Sequence, residues 1–284
     1  MKCKPLIQLA LDEDIGTGDI TTDAVVSPNT KAFAEIKAKQ NLVLAGLKIA
    51  QAVFEKLDSR CKWHSKFKEG DFVKKGMCIA QLEGKASAIL KGERTALNIL
   101  QHLSGIATLT KEFVDAVKGT GAKILDTRKT LPGLRELEKH AVKMGGGHNH
   151  RMGLFDRYLI KNNHIDLVGG MEKAIKKVLS ARGGSASGGK NMLVEVEVRN
   201  FEELKTALKY PIDILLLDNF EPEAVKGAMR LAHGKVKFEV SGGITLDNVR
   251  LYAATGVDFI SVGSLTHSAP AADIHLVISL RGIC

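Results

Sequence analysis

The chain of 284 residues has little cysteine, few aromatics and no long apolar run, and each shortage removes a class of protein. Its four cysteines, Cys3, Cys61, Cys78 and Cys284, lie far apart and form no CxxC pair. That speaks against a disulfide framework or a thiolate zinc site, and for a reducing compartment. Aromatic residues make up only 5% and leave few platforms on which bases could stack, so the net charge of +9 does not by itself argue for a nucleic-acid partner. No stretch approaches the roughly 18 consecutive apolar residues of a membrane span. The amino terminus, MKCKPLIQLALDEDIG, runs from a short apolar stretch straight into three acids, which is not the pattern of a secretory signal. The expectation is a cytoplasmic protein with no membrane and no nucleic-acid partner.

What is present is a composition, 44% hydrophobic and 26% charged, that can build a substantial core. The positive charge is concentrated. Between Lys123 and Lys161 nine Lys or Arg face four Asp or Glu, a local balance of +5, interleaved with glycines and histidines and not spread along a helix face. Such a cluster points to a compact anion pocket.

The first part of the chain reads as mixed α/β. Pro5 opens a helix to about Asp14, Lys31–Lys39 has the texture of a strand, and Leu47, Ala50, Val53, Phe54 and Leu57 recur at helical spacing. EGDFVKKGMCIAQLEG at 69–84 resembles the hairpin of a biotinyl or lipoyl carrier. The lysine such a turn requires is missing, since Lys85 follows the strand, so a plain structural strand pair is expected. A long helical pattern from about Glu93 to Val117 places Leu97, Leu100, Leu103, Leu109 and Val117 on its apolar face.

Six short apolar runs follow, at 123–126, 158–161, 192–198, 213–218, 236–240 and 258–262. Helix-like stretches around 171–181, 201–209, 222–232 and 245–255 separate the last five. Alternation of this kind predicts a parallel sheet in a (β/α) barrel or part of one, two strands short of eight. RGGSASGGK at 182–190 reads as a flexible loop by composition.

Barrels place their chemistry at the carboxyl ends of the strands. Those ends bring Asp126-Thr127-Arg128-Lys129, Lys161-Asn162-Asn163-His164, Glu195 and Glu197, Asp218-Asn219, Ser241-Gly242-Gly243 and Gly263-Ser264. SGGI and VGS after consecutive strands fit two adjacent phosphate loops, where glycine lets backbone N–H groups approach an oxyanion and the next helix adds its dipole. Glu195 and Glu197, two apart, share one strand face, which in a barrel is the interior. Buried there with Asp218 and Glu239, they need cations or a metal. Ion pairs with Lys129 or Lys161 would suffice structurally; Mg²⁺, or stabilisation of a positively charged ribosyl centre, is the functional alternative. In HAVKMGGGHNHRMGLFDRYLIKNNH at 140–164, His148 and His150 have only Asp156 as a neighbouring acid, so anion binding by His150, Arg151 and Lys161 is expected over metal binding.

LDEDIGTGDIT, ERTALNILQHLSGIAT, DTRKTLPGLRELEKHAVKMGGGHNHRMGLFD, VEVEV, LLLDNF and FEVSGGI, in this order and spread over nearly the whole chain, resemble the quinolinate phosphoribosyltransferase family. The resemblance implies an α/β fold: an amino-terminal α/β sandwich domain over residues 1–118 and an incomplete (β/α) barrel over 119–284, whose last residues return to the first domain. It implies decarboxylating phosphoribosyl transfer from phosphoribosyl pyrophosphate to quinolinate, with Mg²⁺ as cofactor. It also implies a homodimer, or a larger oligomer, whose active sites are shared between subunits. By motif, Arg94, Thr127, Arg128, Lys129, His150, Arg151 and Lys161 would hold substrate, with Arg94 reaching across the dimer. Glu197 and Asp218 would flank the ribose and the metal-bound diphosphate and, with Lys129, form the catalytic set. Ser241, Gly242, Gly243, Gly263 and His267 would take the 5′-phosphate. One departure stands out: Asn162 occupies the place where the family's K-D/E-N-H string has an acid.

Overall fold

The structure, a computed structural model, describes residues 4–183 and 192–280. Residues 184–190 of the expected loop lie outside them, as do Cys3 and Cys284; Cys61 and Cys78 are free. In chain order the elements begin α1 (Lys4–Ile15), α2 (Ile20–Val25), β1 (Lys31–Ala38), β2 (Leu42–Val43), α3 (Leu47–Leu57), β3 (Lys62–His64), β4 (Phe72–Val73), β5 (Cys78–Lys85) and α4 (Ala86–Ala116). Then come β6 (Lys123–Leu125), α5 (Arg135–Met144), β7 (Tyr158–Ile160), α6 (Asn162–Val168), α7 (Met171–Gly183), β8 (Val194–Val198), α8 (Phe201–Ala207) and β9 (Ile214–Asp218). The chain continues through α9 (Pro222–Ala232), β10 (Lys237–Ser241), α10 (Val249–Ala253), β11 (Phe259–Ser261), α11 (Ser264–His267) and β12 (Ile274–Ser279).

These elements divide into two compact units. The first holds Met1–Lys111, Thr130–Gly146 and Leu265–Cys284; the second holds Glu112–Lys129 and Gly147–Ser264. The first unit is built on a four-stranded antiparallel sheet in the order β12-β1-β5-β3. α3 buries Leu47, Ile49, Ala50, Val53 and Phe54, the stripe its sequence spacing anticipates. The carrier-like segment is not a hairpin, because β4 pairs with β2 in a separate two-stranded sheet while β5 runs between β1 and β3. The end of the chain crosses α4 at Gly105, where a Cβ would stand 2.0 Å from the Pro270 carbonyl oxygen. With glycine there, Ala272 N–H can donate to the Gln101 carbonyl (2.9 Å) and Gln101 Nε2 to the Ile274 carbonyl (2.8 Å), which guides β12 onto β1.

α5 has no counterpart in the sequence expectation, and the reason is chemical. Its buried stripe contains Leu137, Ala141 and Val142 but also the fully buried Glu138 and Lys139, so the charges mask the helical period. Glu138 is satisfied by His102 Nε2 at 2.9 Å and the Leu131 N–H at 3.2 Å.

The second unit is a six-stranded parallel sheet in the order β6-β11-β10-β9-β8-β7. All six expected strands are present, connected by helices, in the incomplete (β/α) barrel the sequence predicts. β6 and β7 remain edges. The edge of β6 is partly covered by the His148 backbone, whose N–H donates to the Ile124 carbonyl (2.8 Å) and whose carbonyl accepts from the Asp126 N–H (3.1 Å).

Candidate active site

Register decides which side chains meet. Leu159 lies opposite Glu195, Glu195 opposite Ile214, Glu197 and Glu239 both opposite Leu216, and Asp218 opposite Ser241. With side chains alternating along each strand, Glu195, Glu197, Asp218, Glu239 and Ser241 all project from one face. Along this face they form two layers.

In the deeper layer the acids themselves are closed to solvent. Glu195, fully buried, accepts from Arg157 Nη1 at 3.0 Å and faces His150 Nε2 at 3.1 Å. Glu239, also fully buried, accepts from Ser261 Oγ at 2.5 Å and lies 3.6 Å from the same histidine nitrogen. Burial works to raise the Glu195 carboxyl, yet the hydrogen bond from His150 and the charge of Arg157 outweigh it and hold the group below its ordinary value. Burial, and then the nearby Glu195, push Glu239 well above its own.

The upper layer lies at the strand ends. Lys161 follows β7 and so comes level with Glu197, to which its Nζ donates at 2.9 Å. Glu197 also faces the Asn162 N–H at 3.4 Å, at the start of α6. Asp218 accepts from Ser241 Oγ and from Asn219 Nδ2, both at 3.1 Å. Asn219 has a positive φ of 57°, and a Cβ on Gly242 would fall 2.0 Å from its Oδ1, so residue 242 can only be glycine while this loop keeps its shape. No long helix aims its dipole at these glycines, since α10 does not begin until Val249 and α11, after Gly263, has four residues.

Cations gather beside both layers. After β6, Thr127 Oγ1 accepts the Lys129 N–H at 3.0 Å, forming a tight turn that leaves Arg128 half-buried and Lys129 exposed. Arg151 is buried; desolvation, and then the charge of Arg128, push its guanidinium below the ordinary value. At the β7 edge Arg151, Arg157, His164 and Lys177 line a cavity of about 390 Å³ together with Leu159 and Val178. Asp156 is held in its own loop, where its carboxylate accepts the N–H groups of Met152 (2.7 Å) and Gly153 (3.0 Å), and its charge acts on Arg151 and Arg157 from there.

Residues 19–104 match the amino-terminal domain of quinolinate phosphoribosyl transferase and residues 106–277 its carboxyl-terminal domain. The chain belongs to the quinolinate phosphoribosyltransferase family. It is 42% identical to a protein of Bacillus subtilis named as a probable nicotinate-nucleotide pyrophosphorylase (carboxylating), over 99% of this chain and 94% of that one. It is likewise 42% identical to the chloroplastic nicotinate-nucleotide pyrophosphorylase of Arabidopsis thaliana, over 97% of this chain and 82% of that one. Among solved structures, the nicotinate-nucleotide pyrophosphorylase of Francisella tularensis superposes with a TM-score of 0.91 at 41% identity, covering 97% and 95% of the two chains.

Within this phosphoribosyltransferase the protein itself engages several of the expected site residues. The His150 backbone N–H donates to the buried Asp126 (2.9 Å), its Nδ1 accepts the Arg151 N–H (2.7 Å), and its Nε2 faces the acids below. Of the two lysines the sequence offered as partners for the strand acids, Lys161 meets Glu197. Glu195 and Glu197 therefore share a face but not a role. Arg157 and Ser261 went unnoticed in the sequence. Counting back by two from Leu159 would have put Arg157 on the face of Glu195, and Ser261 follows from the same count on β11. Arg94 is exposed on α4, and His267, exposed at the end of α11, has its Nδ1 2.6 Å from Ser268 Oγ. No helix of the described residues is long and apolar enough to cross a membrane.

Proposed function

We infer that this chain transfers the phosphoribosyl group of phosphoribosyl pyrophosphate to quinolinate with loss of CO₂, giving nicotinate mononucleotide for NAD biosynthesis. The observation that carries this reading is a buried arginine, Arg151, placed where the charge of Arg128 also acts, since paired guanidinium groups suit an anion with two carboxylates. Lys129 adds a mobile point charge. As the pyridine nitrogen attacks and diphosphate leaves, positive charge develops on the ribosyl carbon, and Glu197 stabilises it from the strand face. The new ring cation then favours departure of the adjacent carboxylate as CO₂, because the electron pair left on the ring carbon sits beside a positive nitrogen, and that carbon takes a proton from water to give the product. Ser241, Gly242, Gly243 and Gly263 take the 5′-phosphate through the two loops.

Mg²⁺ belongs to the same reading. Glu197 and Asp218 are hard oxygen donors at neighbouring strand ends, which suits a cation that binds one or two carboxylates and otherwise keeps water and phosphate oxygens. When bound, it would neutralise the departing diphosphate. Asn162, which turns its backbone N–H toward Glu197 where relatives of this pattern present an acid, leaves those two carboxylates as its ligands. The free thiols of Cys61 and Cys78 support a cytoplasmic setting.

Nicotinate mononucleotide and CO₂ should form from quinolinate, phosphoribosyl pyrophosphate and Mg²⁺, with no product from nicotinate and none after chelation, as read by mass spectrometry. The homodimer has its own test, since Arg94 of the partner subunit is proposed to complete each site. Arg94→Ala and Lys129→Ala should each be nearly inactive, and mixing them with subunit exchange should restore roughly a quarter of wild-type activity, because half the dimers then have one intact site. Exchange seen by native mass spectrometry without recovered activity would place Arg94 in its own subunit's service.

A further inference from the structure

His150, Glu195 and Glu239 bring three groups of metal-ligating type within 4.8 Å of one another, all buried. The hydrogen bonds nevertheless argue against a metal there. A backbone N–H can only donate, so His150 Nδ1, which accepts from Arg151 at 2.7 Å, bears no proton. The neutral ring must then have its proton on Nε2, the nitrogen turned toward the two acids, and that nitrogen has no lone pair for a cation. Arg157 Nη1, 3.4 Å from it, already places a positive charge at the same point.

The cations are shared unequally. With both acids ionised, Glu195 would have Arg157 at 3.0 Å and the charge of Arg151 nearby, whereas no lysine or arginine among the described residues lies within ion-pair distance of Glu239. Neither Ser261 on β11 nor the neutral His150 supplies Glu239 with a charge. An unbalanced carboxylate in such a place is strongly unfavourable. The geometry also says which acid is the neutral one. Glu195 has the arginine, while Glu239 has a hydroxyl on Oε1 and, among the described residues, no hydrogen-bond partner for Oε2. Glu195 offers a carboxylate oxygen within 4.8 Å of Glu239, so the orphaned oxygen has an acceptor beside it if it bears the proton.

We propose that Glu239 is a neutral carboxylic acid whose proton is directed at Glu195, and that this pair acts as a positioning device, holding His150 and Arg157 and, through the His150–Arg151 hydrogen bond, setting the Arg151 cation for its anion. The direction of the Glu239 shift, upward by burial and by Glu195, agrees with the assignment. The sign of the pH effect follows. A folded-state value above the unfolded one stabilises the protein fully below the ordinary value of 4.5, and that contribution is lost as pH rises toward the folded value.

Glu239→Gln keeps a neutral group with a donor; Glu239→Ala removes it; Glu195→Gln removes the charge that Arg157 needs. The infrared C=O stretch of a protonated acid should be present in the wild type at neutral pH and absent from Glu239→Gln. The stability of wild type relative to Glu239→Gln should fall as pH rises from about 4.5. Glu239→Gln should retain catalytic efficiency within about threefold, while Glu239→Ala and Glu195→Gln lose tenfold or more, chiefly as a raised KM for quinolinate. Absence of the infrared band, a stoichiometric metal in the purified protein that Glu239→Gln removes, or equal damage from Gln and Ala at 239 would each overturn the proposal. The kinetic arm rests on the reaction proposed above, whereas the infrared and stability arms do not. A wild type that makes no nicotinate mononucleotide therefore counts against that reaction and leaves Glu239 to be judged by the other two.

Discussion

The deep and upper layers of the six-stranded sheet use the same residue types in opposite ways. Below, the buried Glu195 and Glu239 meet His150, Ser261 and the largely enclosed Arg157, so their charge is met inside the protein. Above, Glu197 has a lysine whose side chain remains 48% exposed, and Asp218 has only a hydroxyl and an amide. Two glutamates separated by one residue thus divide into one enclosed with its partners and one paired at the rim. Enclosure makes the difference: in a low-dielectric interior a carboxylate must be matched by the fold, whereas at the rim water or a ligand can share that task.

The largest effect should come from breaking the lower layer. Glu195→Ala leaves Arg157 without its buried counter-ion and should cost about 3–5 kcal/mol of stability, read from urea unfolding. A loss under about 1 kcal/mol would mean that the deep layer is wetter than its burial implies. Next, Arg151→Ala should lower kcat/KM by about two to three orders of magnitude with a nearly unchanged unfolding midpoint, since a charge-assisted contact to substrate is removed. Near-normal turnover efficiency would assign the anion to other cations. In the upper layer Glu197→Gln should reduce kcat by on the order of tenfold to a hundredfold, with stability altered by less than about 1 kcal/mol, because Lys161 can turn to solvent. If affinity suffers instead and kcat does not, Glu197 anchors metal or substrate and does not meet the developing charge. Smallest of all, Lys62→Ala breaks an ion pair with Glu83 at 3.0 Å on the first unit's exposed sheet surface and should leave melting temperature and activity unchanged. A measurable loss there would show that the distinction between enclosed and solvated pairs is overdrawn.

Much of this was legible because it depends on local pattern. The six parallel strands announced themselves as apolar runs between helical stretches, and period-two spacing alone put Glu195 and Glu197 on one face. α5 was not legible, because an apolar stripe interrupted by Glu138 and Lys139 looks like a surface charge run until their burial is known. The carrier-like segment misled for a related reason: a strand pattern does not name its partner, and β4 and β5 found different ones.

Sequence by itself determined the α/β class, the order of the strands along the chain and the family, since each is written in short-range spacing or in motifs. Tertiary structure alone decided how those charges are matched. His150 faces the two buried acids, Arg157 emerged as the partner of Glu195, and of the two lysines the sequence offered it was Lys161 that met Glu197. Ion pairs form between residues tens of positions apart, and whether such a pair stabilises the fold or waits for substrate depends on burial, which no linear spacing records.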